Sequence, residues 1–172
     1  FIVSPHVVVT AAHCVVPSLV GPDVSFQLFV GQDLSQLELH PLIDVAAVHW
    51  NPAFDPEMLS QGHDVAALIS SAPLPSNVLE LNREPLDDTL VGQPVRIVGF
   101  GISDVSATTG TTSGVRRSTK ARVSEVTPLL LRRGDFQNNT CDGDSGGPTL
   151  LTRDGREVVA LGTLPEDEAQ TV

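Results

Sequence analysis

The stretch Cys141-Asp142-Gly143-Asp144-Ser145-Gly146-Gly147-Pro148 sets one serine among three glycines and two aspartates. Gly weakens helices and strands and Pro interrupts both, so these residues read as a tight, specialised turn. Glycines on either side of Ser145 allow backbone conformations closed to other residues and can aim successive N–H groups at one point. Stabilising an oxyanion beside a nucleophilic hydroxyl needs that arrangement. For a bare Gly-Asp-Ser an ordinary capped surface turn is the simpler explanation, but the full string through Pro148 goes beyond what such a turn requires.

A serine hydroxyl is a weak nucleophile by itself and needs a base, and the base needs a group to orient it. Thr10-Ala11-Ala12-His13-Cys14 follows the apolar run Val7-Val8-Val9, and His63-Asp64-Val65-Ala66-Ala67-Leu68 opens a second one. Taken singly, His13 at the end of an apolar strand is an ordinary structural histidine and Asp64 an ordinary cap. Together with Ser145 they supply nucleophile, base and carboxylate.

The elements that must carry these residues are short strands. Phe1 to Thr10 suggests two extended pieces joined by a turn at Ser4-Pro5, with Ala11 to Val16 a turn or helical piece bearing His13. Val24, Phe26, Leu28 and Val30 alternate with Ser25, Gln27 and Phe29, which suits a half-buried strand ending at Gly31. Leu42 to Trp50 is a further strand, the Pro-broken loop Asn51 to Gly62 delivers Asp64, and Val65 to Ile69 is a buried strand. Pro73, Pro75 and Pro85 then interrupt a stretch with little periodicity, read as a crossing between two halves. Pro94 to Phe100 and Val115 to Val126 are strands around a Thr/Ser/Gly-rich loop, Ser106 to Gly114, expected to be easily cut. Gly146 to Thr152 and Arg156 to Leu161, divided by Asp154-Gly155, form a hairpin. Strands at this spacing with scarcely a helix imply an all-β sandwich or barrel.

The three motifs, in the order His13, Asp64, Ser145, resemble the histidine, aspartate and serine motifs of the chymotrypsin/trypsin family of serine proteases, and Gly99-Phe100-Gly101 resembles that family's Gly-Trp-Gly turn. The resemblance is specific at the three motifs and weak elsewhere. It implies two antiparallel β-barrels: residues 1–75 as the first, bearing His13 and Asp64, residues 76–93 as a linker, and residues 94–172 as the second, bearing Ser145. It further implies a secreted serine endopeptidase that needs no cofactor or metal, with the N–H groups of Gly143 and Ser145 as the oxyanion hole. Asn139, six residues before the nucleophile, would lie at the base of the substrate pocket beside Thr140, with Gly162 on its wall. A neutral amide at Asn139 argues against a preference for basic side chains. In the family the residue at Asp144 pairs with an amino terminus freed by activation, a part Phe1 is not placed to play. The cysteines at Cys14 and Cys141 each pair in the family with a partner elsewhere. Those partners are not found, so both are expected to be unbridged to each other. Ile2-Val3 runs into Ser4-Pro5 where the family's activated terminus has glycines, so both barrels are expected to be incomplete and the chain a fragment lacking both ends. The alternative is a non-catalytic relative, or an inactive truncated form, that uses the fold as a binding module.

Composition narrows the partners. Ten basic against twenty-one acidic residues give a net charge of −11, which repels nucleic acid and anionic membranes. No apolar run approaches the roughly 20 residues needed to cross a bilayer. Polypeptide substrates and protein protease inhibitors are the expected partners of what should be a monomer. His6, His40, His49 and His63 lack the spacing of a zinc site, and Asp23, Asp33 and Glu38 show no calcium-loop pattern. The sequon Asn138-Asn139-Thr140 falls where a sugar would block the pocket, and is read as chance.

Overall fold

The computed structural model describes residues 1–75, 77–104, 112–135 and 138–160. The chain is mostly β, in the chymotrypsin-like double-β arrangement. Its strands are β1 (Ile2–Ser4), β2 (Val7–Thr10), β3 (Gln27–Leu28), β4 (Ile43–Trp50), β5 (Ala66–Ser70), β6 (Glu80–Leu81), β7 (Pro94–Gly99), β8 (Arg117–Val126), β9 (Leu131–Arg133), β10 (Thr149–Arg153) and β11 (Arg156–Ala160). They form a five-stranded sheet ordered β1-β2-β5-β4-β3 and a six-stranded sheet ordered β6-β11-β10-β7-β8-β9. One short α-helix, α1 (Pro17–Val20), follows the histidine segment.

Alternation explains which strands carry the cores. In β5, Ala66, Leu68 and Ser70 are buried while Ala67 and Ile69 are less so, and Ala66 and Leu68 pack with Ala12, Val15 and Val16. The residue before His13 is therefore part of the first core, which anchors the imidazole's backbone. In the second sheet, Val95 and Ile97 of β7 meet Ala121 and Val123 of β8 together with Leu131, Leu151 and Val158, while Arg96 and Lys120 stand opposite one another in register.

Arg133 shows that the second sheet curls. It lies in β9, yet its Nε donates to Thr149 Oγ1 of β10, and in the sheet order β7 and β8 stand between those two strands. Laid flat, three strand spacings would separate them by about 14 Å, beyond the reach of an arginine. Curvature brings them face to face across the interior.

Several expectations hold closely. The turn at Pro5-His6 joins β1 to β2, and β4, β5, β7 and β8 start and end within two residues of the expected bounds. Asp154 (φ 48°) and Gly155 (φ 75°) both take positive φ, the backbone of a two-residue type I′ hairpin between β10 and β11. Other boundaries differ. The strand expected over Val24 to Val30 shrinks to Gln27–Leu28, an edge strand paired with Asp44 and Ile43 of β4. β10 starts at Thr149 because Gly146 to Pro148 belong to the nucleophile turn. Both β6 and β9 went unpredicted, being too short to show a period. β6 lies inside the stretch read as a bare crossing and pairs parallel with β11. Most of the loop Ser106 to Gly114, and Leu161 at the expected end of the hairpin, lie outside the described residues.

Candidate active site

His13 sits in the turn after β2, and Asp64 lies two residues ahead of β5. Because β2 and β5 are antiparallel neighbours with Thr10 opposite Ala66, the two segments leave the same end of the sheet side by side. Asp64 is 4% exposed, and both its oxygens are engaged by the same residue. Its Oδ1 accepts the His13 backbone N–H at 2.9 Å, and its Oδ2 lies 2.6 Å from His13 Nδ1. An ionised carboxylate only accepts, so Nδ1 carries the proton and the lone pair of the neutral ring is on Nε2. The bond selects a tautomer as well as an orientation.

The hydrogen bond to Asp64 is the largest influence on the imidazole. With a smaller contribution from the Cys14 sulfur, and against the opposing effect of burial, it raises the His13 pKa from 6.5 to about 10. A pKa higher in the folded than in the unfolded chain contributes stability that is complete below pH 6.5 and lost as pH rises through 10. The His13 side chain keeps 19% of its surface exposed, and solvent screening reduces the effect to about 1–2 kcal/mol. Denaturant unfolding at pH 6 and pH 10.5 should show this loss in the wild type, and Asp64→Asn should remove most of it.

Ser145 lies in the turn between β9 and β10. That turn is stitched to the end of β7 by three bonds: Ile102 N–H to Asp142 O at 2.9 Å, Gly101 N–H to Asp144 Oδ1 at 2.7 Å and Val98 N–H to Pro148 O at 3.3 Å. On its other side Gly146, at φ 76°, sits against the residues just ahead of His13. A Cβ there would lie 2.8 Å from Ala11 N and 3.1 Å from Thr10 Cα, and closer still to Thr10 Oγ1. Only glycine allows this approach, which brings the serine turn against the histidine segment. Gly146→Ala combines left-handed strain with a clash against backbone, and should cost about 3 kcal/mol in chemical denaturation.

The remaining expected site residues fall as follows. Among the described residues no backbone acceptor takes the Gly143 N–H. Asn139 is exposed, and its Oδ1 accepts the Thr140 N–H at 2.9 Å. Asn138, of the sequon, is partly buried and accepts a hydrogen bond from Thr119 Oγ1 at 3.0 Å. Asp144 Oδ2 accepts the Cys141 N–H at 3.0 Å, while the Phe1 amine donates to Val9 O at 2.9 Å. Cys14 and Cys141 are both free thiols. Gly162 lies outside the described residues. Among the described residues no group of His, Cys, Asp and Glu is arranged to hold a metal, and no helix is long and apolar enough to cross a membrane.

A family model, described as Trypsin, matches residues 1–171. The chain belongs to the trypsin family. No curated protein matches it. The trypsin-family assignment extends over nearly the whole chain, well beyond the three motifs that first suggested it. Sequence reasoning missed one buried charged residue of the second sheet. Arg133, two residues beyond the apolar run Leu129 to Leu131, is 7% exposed. The available signal was a basic residue placed in alternation with Leu131 on a short apolar segment.

Proposed function

We propose that this protein is an extracellular serine endopeptidase in which Ser145, His13 and Asp64 form the catalytic triad. The observation that carries the reading is the 2.6 Å bond from His13 Nδ1 to Asp64 Oδ2, made where Gly146 seats the serine turn against Thr10 and Ala11. Residues 1–75 supply base and carboxylate, residues 94–172 supply the nucleophile, and 76–93 connect them.

The Ser145 Oγ attacks a peptide carbonyl carbon while its proton passes to His13 Nε2. The C–N bond then breaks as Nε2 returns that proton to the leaving amine, and water repeats the sequence on the acyl-enzyme. General base assistance of this kind contributes roughly 10²–10⁴-fold. The N–H groups of Gly143 and Ser145 receive the developing oxyanion, each worth on the order of 3 kcal/mol. Asp64 favours the imidazolium that forms in this step, the same interaction that raises the His13 pKa at rest.

Polypeptides are the substrates, and protein inhibitors that present a substrate-like strand are the other expected partners. Asn139 at the pocket base offers an amide and no charge, so neutral polar or apolar side chains suit it better than Lys or Arg. Incubation with an organofluorophosphate tests the proposal. One adduct per chain, localised to Ser145 by mass spectrometry and lost in His13→Ala, is the expected result. A folded wild-type chain that takes up no label would leave the fold with a binding role.

A further inference from the structure

Arg133 and Asp144 bring opposite charges to the same short length of β7. The Arg133 side chain is inside the second sheet, held by its Nε to Thr149 Oγ1, and Thr149 stands opposite Ile97 in register. Its Nη1 is buried and has no hydrogen-bond partner among the described residues. Two residues further along β7, about 7 Å at the rise of a strand, the Asp144 carboxylate lies against Gly99 and Gly101. A Cβ on either glycine would come within 2.6 Å of Asp144 Cγ. The backbone of the same turn folds back here too, since a Cβ at Gly147 would meet Val98 O at 2.5 Å and Asp144 O at 2.8 Å.

A buried guanidinium is costly unless an anion compensates it. Burial lowers the Arg133 pKa to about 10, and the negative charge that opposes this is that of Asp144. The carboxylate in turn does structural work, since its two oxygens bind Gly101 N–H at 2.7 Å and Cys141 N–H at 3.0 Å. The first bond ties the end of β7 to the turn that carries Gly143 and Ser145, and the second closes that turn on itself.

We propose that Arg133 is a positioning residue: its buried guanidinium supplies the positive charge against which the Asp144 carboxylate is clamped onto Gly101 and Cys141. The turn bearing Ser145 is thereby braced by a cation internal to the second sheet. The clamp is a property of the fold, and only its effect on turnover rests on the peptidase reading.

Amide hydrogen exchange in the 172-residue chain tests it without requiring activity. Arg133→Met should speed exchange at Gly101 and Cys141 about tenfold, the loss of one net hydrogen bond, and leave the β4 and β5 amides at wild-type rates. Arg133→Lys, which keeps the charge, should restore most of the protection. Asp144→Asn should match Arg133→Met, and the double variant should be no worse than either. Wild-type exchange at Gly101 and Cys141 in Arg133→Met, or additive effects in the double variant, would overturn the proposal. Should Arg133→Met not fold, adding Asp144→Asn removes the uncompensated carboxylate and must restore folding; failure to do so also overturns it. If the wild type cleaves peptides, Arg133→Met should lower kcat about tenfold with KM little changed. If the wild type takes no organofluorophosphate label, the peptidase reading fails while the exchange result still decides the clamp.

Discussion

Replacing Ser145 by alanine should lower turnover on the order of 10⁶-fold, and replacing His13 as well should cost almost nothing more. In the proposed mechanism the two groups act as one unit. Without the Oγ there is nothing for His13 Nε2 to deprotonate, and without the imidazole the hydroxyl stays a weak nucleophile. Single-turnover hydrolysis of a peptide substrate by the wild type, both single variants and the double variant measures this directly. Multiplying losses would mean that His13 and Ser145 work independently, which is incompatible with a shared proton transfer. The residual rate in Ser145→Ala should still fall when a further substitution disturbs the Gly143 turn, since oxyanion donors act without the nucleophile.

Asp64→Asn should lower kcat by roughly 10⁴, the size of the effect for this substitution in triads of this family. Asp64 offers two acceptors to one residue, Oδ2 to His13 Nδ1 at 2.6 Å and Oδ1 to His13 N–H at 2.9 Å. An amide replaces one acceptor with a donor. If that NH₂ faces Nδ1, the ring must move its proton to Nε2 and present Ser145 with a donor where a base is needed. The pH profile separates this from a loss of fold. The proposed mechanism requires neutral His13, whose pKa is raised from 6.5 to about 10 chiefly by the bond to Asp64. The rising limb of kcat/KM therefore lies on the alkaline side of 6.5 in the wild type and moves toward 6.5 in Asp64→Asn. An unchanged limb would assign the raised pKa to some other neighbour.

These predictions rest on parts of the molecule that differed in how legible they were. The three motifs were readable because their chemistry is local: a Gly-flanked serine, an apolar strand ending at a histidine and an aspartate opening a buried strand are each set by a few adjacent side chains. Strands β4, β5, β7 and β8 were readable because each runs for five or more residues between segments broken by Pro or Gly. β6 and β9, two and three residues long, carry no period and owe their existence to neighbours distant in sequence, β11 for the one and β8 for the other.

Arg133 illustrates what sequence order conceals. Beside Arg132 it reads as a solvated basic pair, yet curvature of the second sheet turns its side chain inward to Thr149. Gly146 is similar, since nothing in the string around Ser145 says that Thr10 and Ala11 occupy the space where a side chain would go.

By itself the sequence determined the mostly β class, the principal strands and the residue types able to form a nucleophile, a base and its carboxylate partner. The tertiary structure alone decided that His13 and Asp64 emerge side by side, which nitrogen carries the proton, and where the charge of Arg133 is buried. Side-chain type and alternation are written along the chain, whereas distance and dielectric environment arise only when strands far apart in sequence share a sheet and the sheet curls on itself.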